Sequence, residues 1–288
     1  MNGQSSRRYL GIELGGSRRT AVVCLEYEPS ERKVYLVDTR SQIHGSREET
    51  ADEALLRTVK ELNPFAIGVD APLTFPPCIV CRENTCPGAS DCNQEPVRWM
   101  REEARNRRWP KSKFPPPYTH RPMDLLLRGR WQDDAPMPIP AEEAFGSGRA
   151  PLAARMSYLR RHLLCARIVE VNPRFALLGL SEWYRISVRE LRRCRDLEHG
   201  AENRFTILNK IAEKNSFPEL PQVVLYMTEL VALAKELSAF DGLLCALMAL
   251  YADLNLLEAP EINPDWGWVA RPIRPGSLSR REGIWGSS

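Results

Sequence analysis

The chain has 288 residues, of which 43% are hydrophobic and 27% charged, with a formal net charge of +3. Those values suit a soluble globular protein of one large domain or two small ones, and so small an imbalance names no partner. The longest apolar run, Gly242 to Leu257, is interrupted by Asp253 and is too short to span a bilayer, so no membrane association is expected. The polar start MNGQSSRRYL carries no secretory signal, which predicts a cytoplasmic protein, and eight cysteines in that compartment argue against a disulfide framework. Only seven of the 40 basic residues are lysine. Arginine suits two-pronged contact to phosphate or carboxylate, although an arginine-biased genome gives the same count.

Tyr9 to Tyr27 reads as an apolar strand, a turn at Gly15-Gly16-Ser17 and a second strand returning along the first; residues 33–39 complete an antiparallel meander. Thr50 and Glu53 carry the capping-box signature of a helix that runs to about Leu62, where Asn63-Pro64 stops it. Phe65 to Asp70 is a short apolar strand ending in a carboxylate, and the preceding helix makes a crossover that sets it parallel to the first strand. From Pro72 to Pro151 the texture changes. Fourteen of the 23 prolines and four of the cysteines lie there, which reads as an irregular insertion with one short helix near residues 95–107. A helix at about 152–164 leads to a strand from Ala166 to Val171, halted by Asn172-Pro173. A polar, arginine-rich helical stretch covers about 187–214, and apolar-faced helices at about 221–236 and 239–257 close the core. The tail from Ala259 reads as an extended strap. The predicted architecture is α/β: a mixed five-stranded sheet ordered 3-2-1-4-5 and flanked by helices. The core is residues 1–75 and 150–258, the insertion 76–149, and the strap 259–288.

Four acids carry the first candidate chemistry. Glu13 lies among the inward-pointing residues of the first strand, Asp70 ends the fourth, Glu170 lies in the fifth, and Asp241 is near the start of an apolar helix. Strands one and four are neighbours in that order, so Glu13 and Asp70 converge at adjacent strand ends. Converging carboxylates repel unless a cation holds them, and hard oxygen ligands favour Mg²⁺ or Mn²⁺. Two such ions activate a water and stabilise the leaving oxygen in phosphodiester hydrolysis. Each acid also has a plain reading: an arginine partner for Glu13, a turn for Asp70, a loop for Glu170. For Asp241 it is a capping box from Ser238.

With the meander in front, that order of acids resembles the ribonuclease H-like fold. More narrowly, the chain resembles a family of predicted nucleases known as domain of unknown function 429. The resemblance rests on Gly11 to Ser17 (GIELGGS), Ile67 to Leu73 (IGVDAPL), Arg121-Pro122-Met123-Asp124, Ile168 to Pro173 (IVEVNP) and Phe240 to Ala246 (FDGLLCA). Glu13 stands where such proteins more often have Asp. The resemblance implies Glu13, Asp70 and Asp241 as metal ligands, with Glu170 a weaker fourth.

The second constellation is Cys78, Cys81, Cys86 and Cys92, four thiols within one Pro/Gly-rich loop. That density points to a metal centre: Zn²⁺, or an iron–sulfur cluster as the alternative. A closed four-cysteine site is a structural staple. Cys24, Cys165, Cys194 and Cys245 read as ordinary thiols. The third constellation is basic and aromatic. Arg98, Arg101, Arg105, Arg107, Arg108, Lys111, Lys113, Arg121, Arg128 and Arg130 interleave with Trp99, Trp109, Phe114, Tyr118 and Trp131. Arginines track a phosphate backbone and aromatic faces stack bases, against the plain reading of a solvated helix face. Arg98, Arg101, Arg105, Arg108, Arg121, Trp99 and Trp109 are the candidate nucleic-acid contacts. The run from Arg185 to Arg195 is interspersed with acids and reads as an exposed helix. Of the histidines, only His120, beside Arg121, stands near a candidate site.

These readings lead to a metal-dependent nuclease acting on nucleic acid. The alternative is a nucleic-acid- or protein-binding adaptor with a retired acidic site. A third reading, an actin- or sugar-kinase-like ATP-dependent phosphotransferase, takes GIELGGS as a phosphate turn but lacks the duplicated second half. The sequence assigns no oligomeric state.

Overall fold

The computed structural model describes residues 5–15, 20–110, 114–133, 143–146, 148–163, 166–196, 198–213 and 217–275. Gly16 and Ser17 of the expected first turn, Lys111, Lys113 and Cys165 lie outside the described residues, as do the side chains of Arg130 and Trp131. The chain divides into two compact units. One comprises residues 1–70, 159–259 and 270–288, the other 71–158 and 260–269. The tail from Ala259 is therefore shared between the units. Among the described residues no helix is long and apolar enough to cross a membrane.

The first unit is a mixed sheet with helices. β1 (Arg7–Glu13), β2 (Thr20–Glu28) and β3 (Lys33–Ile43) form the antiparallel meander. α1 (Ala51–Leu62) follows, opened by the reciprocal bonds of Thr50 and Glu53 and closed by Asn63 in the left-handed conformation at φ 45°. It delivers the chain to β4 (Ala66–Val69), which lies parallel to β1, and β5 (Arg167–Glu170) lies parallel to β4 in turn. The sheet order is β5-β4-β1-β2-β3-β6, the five expected strands in their expected succession plus a sixth. β6 (Gln222–Val224) pairs parallel with β3, so the expected five-strand count is corrected to six. Residues 221–226 were expected in a helix. Flanked by Pro218 and Pro221, and carrying the β-branched pair Val223-Val224, they extend along the open edge of β3 instead.

Helices follow the same logic. The stretch expected as one helix at 187–214 is two, α7 (Val188–Arg193) and α8 (Gly200–Ala212). The guanidinium of Arg204 holds the turn between them, donating to the carbonyls of Cys194, Ala234 and Lys235. The last two are end carbonyls of α9 (Met227–Lys235), acceptors that a helix leaves unsatisfied. α6 (Pro173–Tyr184) starts at Asn172, whose side chain accepts from the Arg174 and Phe175 amides.

α10 (Leu237–Asp253) is the core of the unit, with every residue from Ala239 to Ala252 buried. It runs antiparallel to β1: Gly242 and Ala246 sit over Gly11, while Asp253 at its far end bonds Tyr9 and Arg7. A Cβ on Gly11 would occupy the Gly242 carbonyl, and one on Gly68 would occupy the Cys245 carbonyl. The missing side chains let the helix backbone lie directly on the sheet.

The second unit holds the insertion. It contains α2 (Pro77–Val80), α3 (Glu95–Asn106) and α4 (Pro122–Asp133), more helix than the single one expected in the insertion, and most of α5 (Arg149–Arg160), the helix expected at about 152–164. Arg121 and Asp124, expected respectively on a nucleic-acid face and in a family motif, form a buried ion pair at 2.8 Å. Arg121 also donates to Thr74, and Asp124 accepts from the Arg121 and Ala144 amides. This pair ties three segments of the unit together.

Overpacking of the helix–sheet contact is testable. Gly11→Ala should lower stability by about 3 kcal/mol, the upper end of overpacking costs, because backbone and not a side chain must move. Gly148→Ala, where a Cβ meets nothing within 4 Å, should leave the melting temperature unchanged. Equal melting temperatures for the two variants would refute the close contact.

Candidate functional site

The acidic site is built by register. β1 and β4 pair with Gly11 opposite Gly68 and Ile12 opposite Val69, and the Asp70 amide donates to the Ile12 carbonyl. Side chains alternate along a strand, so Glu13 and Asp70 share the face on which Gly11 and Gly68 meet α10. Because α10 runs antiparallel to β1 with Gly242 over Gly11, Asp241 arrives above the same strand ends. Three acids distant in sequence thus reach one corner. Asp241 is 5% exposed, and Glu13 Oε2 is sealed from solvent.

The capping-box reading of Asp241 fails. The N-cap of α10 is Glu236, without a side-chain bond, and Asp241 stands inside the helix on its buried side. Glu170 is not brought to the corner. It pairs with Val69, so the alternation places it on the face away from α10, buried, its carbonyl accepting from the Ala270 amide.

Two arginines join the acids. The Arg195 guanidinium contacts Asp241 Oδ1 at 2.6 Å, and Arg174, one residue past the start of α6, adds its charge nearby. Burial pushes the Asp241 carboxyl up to about 6. Arg195 pulls it down, the charge of Asp70 raises it further, and Arg174 lowers it more weakly. Burial works against the charge on Arg195 as well, but Asp241 outweighs it and Asp70 adds to the effect, so the guanidinium is held above its ordinary value. Arg195 was expected on a plain exposed helix. It lies two residues past the end of α7, four residues after buried Leu191, where the chain turns toward α10 rather than continuing an exposed helix.

Cys78, Cys81 and Cys86 are exposed and Cys92 half-buried, all as free thiols. Burial raises the Cys78 thiol, and the charges of Cys86, Cys92 and Cys81 raise it further, so the sulfurs sense one another. The loop is anchored by Arg101, which donates to the Ala89 and Ser90 carbonyls. In kind, the carboxylates suit a hard divalent ion and the thiols suit zinc. Among the described residues, however, no group of three or more His, Cys, Asp or Glu side chains is arranged to hold a metal ion. At the acidic corner Asp241 is engaged by the Arg195 guanidinium.

The basic constellation is also sorted by the structure. Arg98, Arg105 and Arg108 are exposed, whereas Arg101 tethers the thiol loop and Arg121 is buried. Trp99 lies against Trp266 with ring centroids 6.4 Å apart, and Arg128 covers Trp109 at 4.9 Å. His120 is buried with its Nδ1 2.8 Å from the Thr119 hydroxyl and 3.6 Å between Nε2 and Glu143; burial lowers its imidazole from the ordinary value. Cys24, Cys194 and Cys245 are buried thiols, as expected.

No family model matches the chain, and neither a curated protein nor a solved structure matches it.

The corner gives a pH signature. A carboxyl held above its ordinary value of about 3.9 binds its proton more tightly folded than unfolded. The stability this contributes is complete below about pH 4 and is lost as pH rises toward about 6. Asn imitates the protonated form at every pH. The wild-type melting temperature minus that of Asp241→Asn should therefore fall between about pH 4 and pH 6 and level off above. A flat difference would mean that Arg195 keeps Asp241 ionised throughout.

Proposed function

We propose that this chain is a divalent-metal-dependent nuclease, hydrolysing nucleic-acid phosphodiesters at the corner formed by Glu13, Asp70 and Asp241. The observation that carries the reading is the seating of Gly242 on Gly11, which brings Asp241 to the strand ends of the other two acids. The succession β5-β4-β1-β2-β3, with an antiparallel meander and parallel β4 and β5, supports a ribonuclease H-like core. When bound, Mg²⁺ or Mn²⁺ supplies an activated water and neutralises charge on the leaving oxygen. The chain's own residues do the rest. The carboxylates of Glu13, Asp70 and Asp241 would hold the ion, and Arg195 and Arg174 present guanidinium groups suited to a phosphate oxygen at the same corner. Asp70→Asn should keep the fold by circular dichroism and reduce Mn²⁺-dependent cleavage of a labelled oligonucleotide at least a hundredfold. Undiminished cleavage would dismiss the acidic corner as the active site.

The adaptor reading has one observation in its favour: Arg195 neutralises Asp241 without any ion. Calorimetric titration with Mn²⁺ separates the two. A nuclease binds Mn²⁺ and loses that binding in Asp70→Asn; an adaptor with a retired site takes up no Mn²⁺.

Zinc held by Cys78, Cys81, Cys86 and Cys92 would staple the insertion. Elemental analysis should find about one zinc per chain, absent after Cys81→Ser. Iron with acid-labile sulfide would place a cluster there instead, and neither metal would leave the thiols free.

A further inference from the structure

The second unit contains a cavity of about 360 Å³ lined by Ser90, Arg101, Ala104, Arg105, Trp109 and Phe114, with Ala89 at its rim. We infer that this cavity is a subsite for one nucleotide of a single strand, with the base against Trp109 and Phe114 and a phosphate at Arg105. The inference rests on the reading that the substrate is nucleic acid, and is independent of whether the acidic corner cleaves it.

The walls divide by chemistry. Trp109 follows the end of α3, its amide donating to the Ala104 carbonyl. Arg128 lies over its ring, while Arg128 itself does not line the cavity. The indole is therefore held on one side by a cation and offers other surface to the cavity, a platform prepared for stacking. Arg107, whose guanidinium fits beside Gly129 and pairs with Glu103, secures the end of the helix without entering the cavity. Arg101 is committed to the Ala89 and Ser90 carbonyls and shapes the wall rather than binding.

Arg105 differs. It is exposed and, among the described residues, has no carboxylate partner, so its five donors remain available to a phosphate. Arg98 and Arg108, both exposed and similarly unpaired among the described residues, extend positive charge to either side of it in sequence. The volume admits a base and its sugar but no folded duplex segment. An acidic peptide would satisfy Arg105 but has nothing flat to set against the two aromatic rings, which decides between the two anionic partners.

The test is a fluorescence-anisotropy titration of labelled ten-nucleotide dT and rU strands on the Asp70→Asn protein, where cleavage does not interfere. Binding should weaken about tenfold in Arg105→Glu and in Trp109→Leu, and Trp109→Phe should restore most of it. The restoration shows that an aromatic face, and not the fold of the variant, is responsible. Addition of either strand should also quench tryptophan emission, and Trp109→Phe should remove that part of the quench. No binding by either strand, or binding indifferent to both substitutions, overturns the inference. So does a poly-glutamate peptide that displaces the strands and senses Arg105 but not Trp109. Failure here with Mn²⁺-dependent cleavage intact would leave the acidic corner standing, and the converse result would leave the subsite standing.

Discussion

The first unit depends on backbone-to-backbone contact between α10 and the β1–β4 pair. Gly11 and Gly68 provide it from the sheet, and Gly242 rests on Val23 and Gly11 from the helix. An ordinary helix–sheet interface is separated by two layers of side chains, which would hold Asp241 away from the strand ends. Here the helix descends to the sheet, and its rotation and height are set by atoms that cannot adjust. At the opposite end, Tyr9 and Arg7 bind Asp253, so one axial position of α10 satisfies contacts at both termini. Packing thus delivers a carboxylate to a fixed point above the strand ends.

A second consequence is electrostatic. Delivering Asp241 to the corner buries it beside Asp70, and two carboxylates in a poorly solvated place are costly unless compensated. Arg195 compensates one of them at 2.6 Å. Removing one partner of such a pair commonly costs about 3–5 kcal/mol, since the survivor stays buried and charged or must take up a proton. A divalent ion offers the carboxylates twice the charge of a guanidinium in a smaller radius. On the proposed metal-dependent reading, an ion and Arg195 would compete for Asp241, and the guanidinium would be released to another anion at the same corner.

Much of this was legible in the sequence. The meander, the crossover and the parallel fourth strand followed from apolar runs and their punctuation, because strand alternation and helix caps are local signals. Thr50 with Glu53 marked the start of α1 to the residue. Glu13, Asp70 and Asp241 could be singled out because each lies at or near the end of a recognisable element. Glu170 could be ranked only as a weaker fourth, as it also stands in a convincing strand. Only its pairing with Val69, a register set by neighbouring strands, sends it to the other face. β6 was hidden for a related reason: three residues carry too little periodicity to outweigh the apolar helix behind them, and what makes them a strand is the free edge of β3. Arg195 was missed because a mixed-charge stretch reads as solvated, whereas a helix end can turn one member of that stretch inward.

The arginine-rich composition shows how far residue type falls short of residue role. Arg121 is sealed against Asp124, Arg204 closes helix ends, Arg101 tethers a loop and Arg195 balances a buried acid. Arg121, Arg204 and Arg101 each use the guanidinium to satisfy several acceptors at once, something lysine's single ammonium does poorly. The bias toward arginine is thus explained in part by internal hydrogen bonding, before any external ligand is considered. What remains for an anionic partner is the small group whose donors are not spent inside the protein, and near the Trp109 cavity that group centres on Arg105. Counting basic residues along a segment therefore overstates an interface. Those already engaged in the fold have to be subtracted first.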